Sequence, residues 1–177
     1  TGGAERLALD ICIELSKIKE HSVKLIILDN INDFKNYRFI EFVPSSISLS
    51  VLKKNSFNIE KLKKSIETFN PDIIHSHLFS AEIVSRSIYY PKAKWFSHFH
   101  NNMPQFQNLK LNFIFVKKYL IYFYEKKYLM HRYQVNGGNN YISISKDTSK
   151  YIRSVVANSS KIFKLSDAIN FEKFQNY

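Results

Sequence analysis

The feature that most restricts this chain is its alternation of short, β-rich apolar runs with segments whose apolar residues recur at helical spacing. Val23-Lys24-Leu25-Ile26-Ile27-Leu28 is too continuously apolar for a strand with one wet face, so it reads as a buried strand of a parallel sheet. Ahead of it, from Ala4 to Lys19, Leu7, Ala8, Ile11, Leu15 and Ile18 fall on one face of an amphipathic helix. A weaker strand is expected over Arg38 to Val43, followed by a polar, turn-rich stretch from Pro44 to Asn58. Ile59, Leu62, Ile66 and Phe69 mark the next helix, which Asn70-Pro71 ends because proline disfavours a helical predecessor. A further strand is expected to start at Asp72-Ile73-Ile74-His75, and others at Lys94 to Phe99, Tyr141 to Ile144 and Lys161 to Leu165. Helices are expected from a Ser80 cap through Ser87, along the basic segment 110–133, and from Lys146 to Val156. A loop over Asn101 to Asn108 and a break at Gly137-Gly138 separate these elements. Strands joined through helices imply right-handed crossovers, and hence an α/β, Rossmann-like parallel sheet with helices on both faces. No internal repeat or second domain is visible along the chain.

The 177 residues, 45% of them hydrophobic, suit one domain whose core needs neither disulfide nor metal. Cys12 has no second cysteine to pair with, and among Leu9, Ile11, Ile13 and Leu15 it reads as a buried thiol of a reducing compartment. No run approaches the roughly 18 apolar residues of a membrane span, and Thr1-Gly2-Gly3-Ala4-Glu5 lacks the regions of a signal peptide, so the expected address is cytoplasmic. Twenty-six Lys and Arg against 15 acids give a net charge of +11, which attracts nucleic acid, anionic headgroups or the diphosphate of a nucleotide sugar alike. The segment 109–133 holds six of those cations, Lys110, Lys117, Lys118, Lys126, Lys127 and Arg132, against the single acid Glu125. Its interleaved aromatics suit the surface of an anionic membrane, while a helix packed on the sheet with snorkelling lysines would look the same.

In open parallel sheets ligands bind beyond the carboxyl ends of the strands, which draws attention to four junctions. Gly2 and Gly3 lead straight into a helix whose free amide groups can meet a phosphate or a sugar hydroxyl. His75-Ser76-His77 and His98-Phe99-His100 end two expected strands, and a period of two projects each pair of imidazoles to one side. Four histidines on adjacent strands could hold a metal, but no carboxylate or cysteine completes the set, and the expectation is no metal site. His77 and His100 should emerge at the carboxyl edge, where a histidine can donate to a sugar or phosphate oxygen. Ile142-Ser143-Ile144-Ser145-Lys146 delivers a hydroxyl and an ammonium to a helix start, where Ser145 could equally be a plain N-cap. No P-loop, G-x-S-x-G elbow or Cys-x-x-Cys pair is present.

Taken in order, these segments resemble the amino-terminal, acceptor-side domain of the family 4 retaining glycosyltransferases of the GT-B fold. Thr1 to Arg6 resembles that family's G-G-A-E-R loop, Pro71 to His77 its P-D-x-x-H-x-H segment, and Trp95 to His100 the strand ending in its active-site histidine. Ile142 to Lys146 is similar to its next strand and helix start, and Asp167 to Phe174 to its N-G-I-D-x-x-x-F hinge, with Asp167, Ala168 and Asn170 replacing Asn, Gly and Asp. The resemblance implies His100 as the catalytic residue, with Gly2, Gly3, Glu5, His77, Asn101, Ser145 and Lys146 binding substrate. It also implies retention without a cofactor, the nucleotide-diphosphate sugar being a substrate and the acceptor a saccharide or a lipid-linked sugar. A strand before Thr1 and a nucleotide-sugar-binding domain after Tyr177 are expected by the same resemblance, so the chain alone is expected to be inactive. Two rival readings are a basic α/β nucleic-acid-binding domain, which lacks any RRM, KH or helix-turn-helix pattern, and a sugar-nucleotide epimerase of the same architecture, which the G-G-A-E-R loop disfavours.

Overall fold

The computed structural model describes residues 2–29, 37–49, 54–108, 112, 115–156 and 161–166. The first helix, α1 (Gly3–Ser16), buries Ala8 and Leu9. The apolar run after it forms a shorter strand than expected, β1 (Leu25–Ile27), which pairs in parallel with β2 (Ile40–Phe42) from Leu25↔Ile40 to Ile27↔Phe42. Both strands are half-buried rather than buried, because each belongs to a two-stranded sheet instead of a continuous one.

The stretch from Pro44 to Asn58, expected to be turns, contains an antiparallel hairpin of β3 (Ser46–Leu49) and β4 (Lys54–Phe57), paired from Ser46↔Phe57 to Leu49↔Lys54. Ser46-Ile47-Ser48-Leu49 has strict period-two alternation, with Ile47 and Leu49 packed on the core and both serines outward. Asn58 (φ 53°) adopts the left-handed region after β4, and its Nδ2 donates to Pro44 O at 3.0 Å, leading into α2 (Ile59–Phe69). Leu62 and Ile66 of α2 enter the core, each burial contributing about 1.5–3 kcal/mol before chain entropy is counted. Asn70 (φ 51°) ends α2 with its amide on Ile66 O, ahead of Pro71 as expected.

Four strands make the main sheet in the order β5 (Ile73–His77), β6 (Lys94–Phe99), β7 (Asn140–Ser143) and β8 (Lys161–Lys164), all parallel. The connections carry α3 (Phe79–Arg86), α4 (Lys117–Val135) and α5 (Lys146–Val155), so the expected α/β crossover layout is present. α3 starts before Ser80, which lies within its first turn and caps nothing; Leu78 occupies the cap position with no side-chain bond. The loop 101–108 contains a 3-10 turn at Pro104–Phe106. α4 closes through Asn136 onto Gly137 (φ 80°) and Gly138 (φ 105°), where Gly138 N reaches Tyr133 O at 2.7 Å; only glycine takes both angles without strain.

Strand register assigns the faces. Ser76, Ser97 and Tyr141 lie side by side, and their face receives α3, α4 and α5: Glu82 of α3 binds Ser76 and Ser97, Tyr133 of α4 meets Tyr141, and Ser149 of α5 meets Ser143. Here Trp95, Phe99, Phe106, Leu129 and Ile152 belong to one apolar core. Ala8 and Leu9 lie outside that cluster, on the helix that contacts both β1 and β5. Cys12 on α1 is half-buried rather than buried, and desolvation pushes its thiol up to about 11, which keeps it un-ionised at neutral pH.

Candidate functional site

Because the four strands of the main sheet are parallel, their carboxyl ends share one edge. β5 ends at His77, β6 at Phe99 and β7 at Ser143, so His77, His100, Asn101, Ser145 and Lys146 all leave the sheet along that rim. Period two puts His75 and His77 on the face opposite Ser76, and the register sets His98 beside His77. The two expected histidine pairs are therefore one cluster. Ring centroids lie 4.3 Å apart for His75 and His77, 4.9 Å for His77 and His98, and 4.4 Å for His98 and His100. His77 Nδ1 and His100 Nε2 are 3.0 Å apart, a hydrogen bond in which one ring supplies the proton.

Burial sets the electrostatics of these rings. Desolvation, opposed by Glu82 and reinforced by His100, lowers His75 to about 4. Desolvation lowers His98 to about 3, with His100 and His75 adding to the shift. His77 falls to about 2 through desolvation and the three neighbouring imidazoles. A second proton among rings this close is repelled as well as poorly solvated, so all three are neutral imidazoles at pH 7.

Leu78, directly after His77, has φ 68° and ψ 154°, a region glycine tolerates and a leucine occupies at a cost of about 1–3 kcal/mol. Strain of this kind persists where surrounding structure enforces it, and here it turns the chain from β5 into α3 at the rim. Nothing in the sequence signals it, since leucine is among the residues least expected there. Asn101, directly after His100, and Lys146, the first residue of α5, are exposed. Ser145 Oγ accepts from Thr148 N at 3.1 Å, so this serine caps α5 while standing on the rim.

Gly2 and Gly3 open α1, and neither needs a left-handed backbone, Gly2 having φ −90°. A Cβ on Gly2 would lie 2.8 Å from Glu5 Oε2, whose carboxylate curls back over the helix start, whereas one on Gly3 would meet nothing. These three residues form a local group on α1, and α1 contacts β5 and β1. The hinge-like residues 167–174 and Thr1 lie outside the described residues, as do Lys110 and Phe113 of the basic segment.

The described part of that segment divides in two. Toward its end Arg132 donates to the carbonyls of Arg86 (2.6 Å) and Ser87 (2.9 Å), and Lys126 donates to Phe106 O (2.7 Å), so these cations fasten α4 to the fold. At its start Lys117 and Lys118 are exposed, as are Tyr124 and Lys127 further along, and Phe115 is 96% exposed. No helix among the described residues is long and apolar enough to cross a membrane.

A parallel sheet flanked by helices, with imidazoles, a hydroxyl and an ammonium along its carboxyl rim, has the architecture of a Rossmann-like half of a glycosyltransferase. Residues 1–172 match the family model described as Glycosyltransferase Family 4, and the chain belongs to that family. Its substrates are accordingly a sugar donor and an acceptor. No curated protein matches the chain.

Proposed function

We propose that this domain is the acceptor-side half of a transferase that moves a hexose from a nucleotide-diphosphate donor to a saccharide or lipid-linked acceptor with retention of configuration. The observation that carries the reading is the contact of His77 with His100 where two adjacent parallel strands end, beside the strained Leu78. In this reading His100 is the catalytic residue. Its ring donates a hydrogen bond to an oxygen of the transferred sugar as positive charge grows at the anomeric carbon, and His77 holds that ring in place. The bond between anomeric carbon and donor phosphate breaks, the acceptor hydroxyl oxygen bonds to the same face, and its proton passes to the departing phosphate oxygen. Gly2, Gly3 and Glu5 line the acceptor and diphosphate side of the cleft, while Asn101, Ser145 and Lys146 contact substrate hydroxyls or phosphate. Lys146, exposed at the start of α5, joins that helix end in favouring an anion.

A lipid-linked acceptor would be reached at a membrane surface, and the exposed Phe115, Lys117, Lys118 and Lys127 fit peripheral attachment to anionic lipid on the cytoplasmic side. Reversing Lys117 and Lys118 to Glu should weaken sedimentation with phosphatidylserine vesicles by about tenfold or more, at roughly 1 kcal/mol per cation near the surface. Unchanged sedimentation would remove the membrane from this account.

The reaction is tested with the full-length protein and a set of nucleotide-diphosphate hexoses, each with saccharide and lipid-linked acceptors, following the anomeric configuration of the product by NMR. Acceptor-dependent transfer with the donor's configuration preserved is expected. An inverted product, or epimerisation of the donor without any acceptor, would overturn the reading.

A further inference from the structure

The sheet face that carries the histidines holds more imidazole than sugar transfer at His100 requires. One ring nitrogen from each of His75, His77 and His98 lies within 4.8 Å of the other two. In a tetrahedral site with metal–nitrogen distances of about 2.1 Å, ligand atoms are about 3.4 Å apart, so the rings would close in by about 1 Å or a little more on binding one ion. The strands supply the framework: His75 and His77 project from one face of β5, and His98 is the cross-strand neighbour of His77. His75 Nε2 is buried with no hydrogen-bond partner among the described residues, a vacancy that ordinarily costs about 1–3 kcal/mol. His77 keeps Nδ1 on His100 and has Nε2 to offer, and a hydrogen bond on the second nitrogen is what orients a ligating histidine.

We propose that His75, His77 and His98 form a three-imidazole site for a divalent transition ion of the zinc class, with the fourth position open toward His100. Three neutral nitrogen donors without carboxylate or thiolate favour zinc, cobalt, nickel or copper over magnesium or calcium. The site departs from the expectation drawn from sequence, where the lack of an acidic or cysteine ligand argued against a metal; three histidines and an open position suffice for zinc.

The site stands apart from the transferase reading, because its readout is metal binding and requires no sugar. Full-length protein stripped with chelator is titrated with Co²⁺, then with Zn²⁺ in competition. One equivalent of Co²⁺ should give the visible ligand-field bands of a four-coordinate ion, and Zn²⁺ should displace it. His75→Gln and His98→Gln should each weaken Co²⁺ binding by about 100-fold or more, and His131→Gln, on the exposed side of α4, should leave it unchanged. X-ray absorption of the zinc-loaded wild type should count at least three imidazoles, a result that holds even where a glutamine variant fails to fold. Absence of a stoichiometric complex, fewer than three imidazoles, or undiminished binding in both variants would overturn the site.

Discussion

Strands β5 and β6 carry a polar cluster on each face, and the two are built in opposite ways. On the helix-covered face Glu82 and Arg86, 2% and 0% exposed, are paired at 3.1 Å. Ser76 and Ser97 donate to the carboxylate, and Asn139 and Ser97 accept from the guanidinium, whose plane lies 4.2 Å from the Trp95 ring and 4.8 Å from Tyr133. Opposite charges are thus matched and enclosed, which fixes the packing of α3 on the sheet. On the other face the residues are four like imidazoles, of which His75, His77 and His98 are kept neutral by desolvation, with His77 and His100 hydrogen-bonded to one another at the rim. Opposite charges locked together serve the fold. Neutral donors gathered at an edge are available for a ligand.

The largest effect should come from breaking the matched face. Glu82→Ala leaves Arg86 charged and enclosed, and a loss of about 3–5 kcal/mol is expected in chemical denaturation. A loss below about 1 kcal/mol would mean that the two faces do not differ as described.

Acid tests the opposite face. A histidine whose folded pKa lies below its unfolded value of about 6.5 binds its proton more readily when unfolded, so stability is complete above that value and falls as pH drops through the window below it. For His75, His77 and His98 together, shifted to about 4, 2 and 3, metal-free protein should lose roughly 4 kcal/mol between pH 7 and 5.5. Denaturation in the presence of a chelator measures this, and a flat profile would contradict neutral burial of the rings.

The smallest effect is expected at Leu78. Replacing it with glycine removes the strain, frees the unfolded chain and gives up a half-buried side chain, so stability should stay within about 1 kcal/mol of wild type. A leucine in an ordinary core position would cost about 2–5 kcal/mol on truncation, and a loss of that size here would mean that packing outweighs strain.

Much of this was legible in the chain. β6 begins and ends where Lys94 to Phe99 predicted, and the period-two spacing of His75, His77, His98 and His100 foretold a shared face once the strands were taken as parallel. What escaped was set by tertiary partners or hidden by composition. The β3 alternation of Ser46, Ile47, Ser48 and Leu49 was obscured by its serines, although its period was that of a strand. Glu82 and Arg86 stand four apart on α3 like any surface ion pair, and only the sheet beneath them makes the pair a buried one. The division of the strands into separate sheets, with α1 contacting β1 and β5, leaves no trace in local pattern. The strained backbone of Leu78 could not be read from a leucine.

The most direct test of the account is the turnover of His100→Ala in the full-length protein with its best donor and acceptor, measured together with its unfolding midpoint. A fall in kcat of about 100-fold or more is expected, as when a positioned donor to transition-state charge is removed, with stability close to wild type. Wild-type turnover in a folded His100→Ala protein would contradict it.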